Sequence, residues 1–236
     1  MAEKGLKEWW SALLDMIYPR LCEVCGTALV EGEELLCLQC QADMPLTDLH
    51  LQTDNDMHHR LACHAHVVGA TAMYKYFKGN PYAALIHKAK YRGRPSIARL
   101  LARRYAQSIA ASGFFNGIDM IVPVPVNTLR RMTRGYNQSE HIATGLSEAT
   151  SIPVENRLKA SNRHSTQTRR NAYQRWLNTD GVFHVSNAEG LDGRHILLVD
   201  DVITTGSTLV RCLEALHKVA PSARFSVLTL AIDTMH

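Results

Sequence analysis

The sequence predicts a mainly parallel β-sheet covered by helices on both faces, preceded by a small cysteine-rich module. Three observations support this fold class. Strands alternate with helices after residue 66, several of those strands are almost entirely apolar, and four of the six cysteines form two close pairs early in the chain. Strands that are apolar throughout are typical of a parallel sheet buried on both faces. We therefore expect an N-terminal module over residues 1–65 and an α/β domain over residues 66–236.

The elements of the α/β domain are predicted from the changing period of apolar residues. Strands are expected at Val67–Tyr76, Asp119–Val124, Val154–Leu158, Gly181–Val185, His195–Val199 and Phe225–Ile232. Helices are expected at Tyr82–Lys90, Pro95–Ala111, Ser139–Glu148 and Ser207–Val219. Residues Leu46–Ala65 are polar and histidine-rich without a clear period, so they are interpreted as a linker.

Composition and charge narrow the function classes. An apolar fraction of 46% is ordinary for a globular protein, and a net charge of +4 suits an anionic ligand or nucleic acid. Without an apolar run long enough to cross a membrane or a secretory signal, the chain is expected in the cytoplasm. An amphipathic helix over Leu6–Ile17 is expected to pack on the protein itself, with docking to a partner or membrane as the alternative.

The paired cysteines have the spacing of a zinc site. Cys22 and Cys25 form one pair and Cys37 and Cys40 the other, with two residues inside each pair. Two such pairs can present four thiolates to a tetrahedral zinc ion, across a hairpin turning at Glu31–Gly32. Reduced structural cysteines or a redox pair are the alternatives. The segment has little apolar material, so the metal is expected to be structural and needed for folding.

Four histidines in the predicted linker could form a second metal site. They are His58, His59, His64 and His66. Because they lie in a polar segment without structural periodicity, we interpret them as solvated residues.

The most informative stretch joins an apolar strand to two acids, a polar loop and a helix. The acids are Asp200 and Asp201, and the loop is Thr204, Thr205, Gly206, Ser207 and Thr208. Gly206 allows backbone N–H groups to turn inward, and the helix N-terminus adds a positive end, so the loop is suited to a phosphate. Two acids beside a phosphate suggest hydrogen bonds to sugar hydroxyls or a role in holding Mg²⁺.

A second basic stretch follows the predicted strand Asp119–Val124. It contains Arg130, Arg131 and Arg134 before Gly135. Three guanidinium groups beside a glycine suit a pyrophosphate, although a solvated basic loop would look the same by itself.

These motifs resemble known families. The stretch around Asp200 resembles the phosphoribosyl pyrophosphate (PRPP) motif of type I phosphoribosyltransferases, in which the acids meet the ribose and the loop holds the 5′-phosphate. Several further motifs occur in a fixed order along the chain, and their combination resembles the ComF/GntX family. In addition to the PRPP motif they are the cysteine pairs, Lys90-Tyr-Arg-Gly93, Pro123-x-Pro125 and Thr166-Gln-Thr168. That resemblance implies a zinc-bearing N-terminus on a type I phosphoribosyltransferase fold, with PRPP and Mg²⁺ as ligands. It also implies an association with competence and incoming single-stranded DNA.

A polar, basic segment lies between Asn162 and Asn178. In type I enzymes the corresponding region is a hood over PRPP, and its candidate residues here are Arg163, Thr166, Gln167, Arg169 and Arg170. Contact of Arg169, Arg170 and Trp176 with single-stranded DNA is the alternative. The chain departs from the family after Leu158, where an arginine is usual and Lys159 and Ala160 stand.

Catalysis is the least determined property. Some relatives place a carboxylate base three residues after the acidic pair, where this chain has Thr204, which cannot act as a base near neutral pH. Lys90, Tyr91 and Arg92 are candidate neighbours of the acceptor, or the solvated end of a helix. Two hypotheses follow: a Mg²⁺-dependent phosphoribosyltransferase, or a non-catalytic scaffold that binds single-stranded DNA or a competence protein. A homo-oligomer is compatible with either.

Overall fold

The central sheet is built from parallel strands, as the sequence predicts. A computed structural model describes residues 19–77, 79–91 (only the backbone of Tyr91), 93–126, 133, 135–161 and 182–233. In this part of the chain the strands of the main sheet are β1 (Val67–Tyr76), β2 (Met120–Pro123), β5 (His195–Ile203) and β6 (Arg224–Asp233). They lie in the order β1-β6-β5-β2, with every neighbouring pair parallel.

A smaller antiparallel pair lies beside the main sheet. It consists of β3 (Leu158–Ala160) and β4 (Phe183–Val185). The strand predicted at Val154–Leu158 is wrong in its bounds, because Val154 makes only an isolated bridge to Ile121 and regular pairing begins at Leu158.

Helices cover both faces of the sheet. The described helices are α1 (Leu38–Ala42), α2 (Asp56–Leu61), α3 (Ala83–Tyr91), α4 (Ser96–Ile109), α5 (Gln138–Thr150) and α6 (Ser207–Val219), with short 3₁₀ turns at Leu49–Leu51 and Ala110–Ser112. Side chains of β5 alternate between two buried clusters: Leu197 packs with α4 and α5, and Leu198 packs with α2 and α6. This alternation explains why the strand is apolar at successive positions. No helix of the described ranges is long and apolar enough to span a membrane.

The segment interpreted as a linker contains helix α2, so that interpretation is wrong. The Asn55 side chain caps the helix by accepting from His58 N–H (3.0 Å) and donates to Ala70 O (2.9 Å). Met57 and Leu61, one turn apart, are fully buried against the sheet. A helix of six residues is too short for its period to be visible in a polar sequence. The division at residue 65 stays a prediction.

The cysteine module turns at Glu31–Gly32, as predicted, with Gly32 at φ 85°. The returning residues Leu35 and Leu36 do not form a strand; they are buried in the cluster that contains Tyr82 and Leu85 of the α/β domain. The predicted helix over Leu6–Ile17 lies outside the described residues.

Candidate functional site

A cavity of about 390 Å³ opens at the carboxyl ends of β2 and β5. Parallel sheets bind ligands at this edge, because the loops that follow the strands converge there. The charged and polar side chains that line the cavity come from α3, α5, β5 and α6, and they are Lys90, Gln138, Ser139, Asp200, Asp201, Ser207, Thr208 and Arg211. The acidic pair and the last two residues of the predicted polar loop, Ser207 and Thr208, therefore face one space.

The two acids have different surroundings. β5 continues through both of them to Ile203, beyond the end predicted at Val199. Asp200 Oδ1 accepts hydrogen bonds from Ser139 Oγ (3.0 Å) and from the Asp201 N–H (2.9 Å). Asp201 Oδ2 lies 2.9 Å from the ammonium of Lys90. Burial, together with the negative charge of Asp201, raises the pKa of Asp200 to about 7.

The raised pKa predicts that Asp200 destabilises the ligand-free protein above neutral pH. The unfolded carboxyl ionises with a pKa near 3.8, whereas the folded one holds its proton until about pH 7, so stability falls as the pH rises through this window. Asp200→Asn keeps the shape of the protonated acid. We expect it to raise the free energy of unfolding by up to about 4 kcal/mol at pH 8 and by less than about 1 kcal/mol at pH 4.

Urea denaturation at both pH values, in metal-free buffer, measures this difference. Glu189→Gln, at an exposed carboxylate away from the cavity, is the control and should change neither value. Equal stabilities of the Asp200 variant and the wild type at pH 8 would contradict the assigned pKa.

The loop after β5 has the features of a phosphate cradle. Gly206 has φ 81° and α6 begins at the next residue, so the N–H groups of the first turn have no acceptor within the helix. The side chains of Thr204, Thr205, Ser207 and Thr208 are exposed around these N–H groups. Backbone donors, hydroxyls and the positive helix end thus lie together, as an anion requires.

Gly206 tests the importance of this backbone shape. Gly206→Ala places a side chain at a positive φ, which is expected to cost about 1 kcal/mol of folding free energy and to turn the N–H groups away from the cradle. Binding of inorganic phosphate or a ribose phosphate, followed by calorimetry, should weaken at least tenfold. Gly190→Ala, also at positive φ (70°) but away from the cavity, should cost similar stability without changing phosphate binding.

Helix α2 contacts this loop and supports it. Arg60 Nη1 donates to Thr204 O (2.8 Å), and the side chain of Leu61 lies 3.6 Å from the position that a Cβ on Gly206 would occupy. The sequence analysis missed both residues, since they lie more than a hundred positions before the loop.

The motif around Gly135 organises two helix ends. The side chain of Asn137 caps α5 by accepting from Ser139 N–H (3.1 Å) and anchors it by donating to Val124 O (3.0 Å). Tyr136 Oη donates to Ala89 O at the end of α3 (2.5 Å). Gly135 has φ 78°, which favours glycine. Arg130, Arg131 and Arg134 lie outside the described residues, so their pyrophosphate contact stays a prediction.

The candidate residues of the hood also lie outside the described residues, as does Arg92. These hood candidates are Arg163, Thr166, Gln167, Arg169 and Arg170, together with Trp176. At the position where the family carries an arginine, Lys159 is exposed and Ala160 lines the cavity.

Sequence reasoning missed Ser139 as a partner of Asp200 and missed Arg211, which lines the cavity one helical turn after Ser207. The spacing of four residues is the signal that could have identified Arg211.

The four paired cysteines come together at one point. The sulfur atoms of Cys22, Cys25, Cys37 and Cys40 all lie within 4.8 Å of one another. Ligand sulfurs of a tetrahedral zinc thiolate are about 3.8 Å apart, given Zn–S bonds of about 2.3 Å. A hydrogen bond to the Thr27 hydroxyl lowers the pKa of Cys25 to about 6, which favours the thiolate that a metal needs. The residues fit a structural zinc ion.

The histidines of the predicted linker do not come together in this way. His58 Nε2 lies 2.9 Å from Val67 O, His59 Nε2 lies 3.1 Å from Asp54, and His64 Nδ1 lies 2.9 Å from Glu214. Among the described residues, the four cysteines form the one group of metal-ligating side chains.

Comparison with known protein families identifies the class. Residues 94–233 match the phosphoribosyl transferase domain, and residues 13–50 match the double zinc ribbon domain. The chain therefore belongs to the phosphoribosyl transferase domain family, with a zinc ribbon at its N-terminus, as the sequence predicts. Within this class the relatives to which it is similar are those of the ComF family, as the resemblance implied.

The relatives carry names that refer to DNA utilization and competence. The chain is 29% identical to the DNA utilization protein YhgH of Escherichia coli over 86% of each chain. It is 32% identical to competence protein F of Haemophilus influenzae over 59% of this chain and 63% of that protein. A solved structure, the glutamine PRPP amidotransferase of Bacillus subtilis with ADP and GMP, is 21% identical with a TM-score of 0.41, covering 56% of this chain and 26% of that one.

Proposed function

We propose that this protein binds PRPP with Mg²⁺ and transfers the phosphoribosyl group to an acceptor, releasing pyrophosphate. The observation that carries the proposal is that Asp200 and Asp201 face the same cavity as Ser207 and Thr208, the loop residues that begin α6. An acidic pair beside a phosphate cradle suits a ligand that has vicinal hydroxyls next to a phosphate. The family membership supports the same ligand class.

Each part of the ligand has a matching group. The cradle would hold the 5′-phosphate through N–H groups and hydroxyls, and the acids would accept from the ribose hydroxyls. Arg130, Arg131 and Arg134 are proposed to contact the pyrophosphate. Bound Mg²⁺, facing the carboxylates, would offset the charge that the pyrophosphate carries as it leaves.

The transfer breaks the bond between the anomeric carbon and the pyrophosphate oxygen, which leaves with the electron pair. The acceptor then supplies a lone pair to the anomeric carbon from the opposite face, and loses its proton to solvent or a base. Thr204 cannot serve as that base, so we propose an acceptor that is nucleophilic without deprotonation, such as an amine. The hood candidates between Asn162 and Asn178 would exclude water from the sugar cation.

Calorimetric titration of PRPP with Mg²⁺ tests ligand binding. We expect micromolar affinity in the wild type and at least a thirtyfold loss in Asp201→Asn, because the ribose hydroxyls lose a charged acceptor beside the ligand phosphates. The double variant Asp200→Asn with Asp201→Asn should abolish binding, and Asp54→Asn should bind as the wild type does. Unchanged affinity in the Asp201 variant would remove the basis for assigning PRPP as the ligand. If PRPP does bind, an assay for pyrophosphate release in the presence of candidate amines tests the transfer step.

The names of the relatives favour a second function, a cytoplasmic scaffold that binds single-stranded DNA or a competence protein. Fluorescence anisotropy with a labelled oligonucleotide, with and without PRPP, separates it from the first. Salt-dependent DNA binding in a protein that does not bind PRPP would favour the scaffold.

A further inference from the structure

Helix α3 connects the zinc ribbon to the ribose phosphate site. Lys88 and Lys90 are two positions apart on this helix, which places their side chains about 200° apart around its axis. Lys88 contacts the ribbon, and Lys90 contacts Asp201. One short helix therefore carries a cation to each of the two sites.

The ribbon holds α3 through charged and polar contacts. Lys88 Nζ donates to Glu23 O (2.7 Å) and to Glu23 Oε2 (3.0 Å). Glu23 lies between the zinc ligands Cys22 and Cys25, is 7% exposed, and also pairs with Arg94 after the helix. At the other end, Tyr82 Oη donates to Cys40 O (2.8 Å). Both ends of α3 are thus attached to residues at or beside the metal ligands.

The site end of α3 is equally constrained. Lys90 is 22% exposed, lines the cavity and lies 2.9 Å from Asp201 Oδ2. The carbonyls of Ala89 and Lys90, at the helix end, accept from Tyr136 Oη (2.5 Å) and Gln138 Nε2 (3.5 Å). A rotation or shift of α3 would therefore move Lys90 away from the acid and disturb the start of α5.

We propose that the zinc ribbon is a positioning module for the ligand site, and that Lys90 is the group it positions. By fixing the position and rotation of α3, the ribbon holds the ammonium of Lys90 between Asp201 and the anionic ligand. Two carboxylates facing a phosphorylated sugar would otherwise repel it, and a cation at this point offsets that repulsion. This inference rests on the proposed function for the ligand, but the mechanical link between ribbon and site does not.

The link can be tested with the zinc-loaded protein. Lys90→Met removes the cation and should weaken Mg²⁺–PRPP binding about tenfold. Lys88→Met removes one contact with the ribbon while Arg94 still pairs with Glu23, so zinc should be retained and binding should weaken about threefold. If Lys88 acts through Lys90, the double variant should bind no more weakly than Lys90→Met. Lys218→Met, at the far end of α6, should bind as the wild type does.

A ligand-free measurement separates this inference from the proposed function. Amide hydrogen exchange in Lys88→Met should accelerate in the second half of α3 and at residues 135–139, with equal zinc content confirmed by elemental analysis. A wild type that does not bind PRPP would refute the proposed function, and the exchange result would still decide the link. The positioning role would be overturned if hydrogen exchange were unchanged in Lys88→Met. It would also be overturned if the loss of affinity in the double variant equalled the product of the losses in the two single variants.

Discussion

Replacement of Cys37 by Ser is expected to remove the zinc ion and to lower the thermal unfolding midpoint by about 10 °C. Cys37 caps α1 and contributes one of the four sulfur atoms. Loss of one thiolate leaves three ligands, and structural zinc sites depend on a complete tetrahedral shell. The ribbon residues Leu35 and Leu36 share a buried cluster with Tyr82. Release of the ribbon therefore exposes part of the main core, which we expect to cost about 3–5 kcal/mol.

Elemental analysis and a thermal scan measure both parts of this prediction. The wild type should contain one zinc per chain and the variant none. Cys63→Ser is a matched control, because Cys63 is an exposed free cysteine outside the metal group, and it should keep both the zinc and the midpoint. A carefully reduced wild type without metal, or a metal-free variant with an unchanged midpoint, would contradict a structural role for zinc.

Replacement of Gly145 by Ala is expected to destabilise the protein by about 3 kcal/mol. Gly145 lies inside α5, where alanine is normally favoured by roughly 1 kcal/mol. Here a Cβ would stand 2.1 Å from the carbonyl oxygen of Arg99 and 3.1 Å from Arg103 N, both in the backbone of α4. Backbone atoms cannot rotate away as a side chain can, so the two helices must separate and loosen the packing of Leu101 and Leu146.

Urea denaturation of the variant gives this free energy directly. Gly69→Ala is the control, since a Cβ there meets its nearest atom, Ser226 Oγ, at 3.4 Å and should cost less than 1 kcal/mol. Because α5 also carries Ser139, which binds Asp200, we expect weaker PRPP binding in the Gly145 variant. Stability equal to that of the wild type would show that α4 and α5 tolerate a wider spacing.

The sequence predicted the elements of the α/β domain with small errors at their ends, apart from the strand at Val154–Leu158, of which only Leu158 belongs to β3. Its largest error was the segment Leu46–Ala65, where α2 is too short and too polar to show a period. The sequence also identified the correct class of protein, since a cysteine-paired N-terminus and a strand followed by acids and a polar loop are both local patterns. The pyrophosphate arginines and the hood residues remain predictions, because they lie outside the described part of the chain.

The sequence alone was enough to identify the four paired cysteines, the acidic pair and the polar loop that follows it. Each of these groups is set by residues a few positions apart, and short-range spacing is enough to imply its geometry. The contacts that support these groups are visible only in the folded protein. Arg60 reaches the loop, Lys90 reaches Asp201 and Ser139 reaches Asp200 across separations of 144, 111 and 61 residues. Such contacts depend on how sheet and helices pack, and no local pattern records that packing.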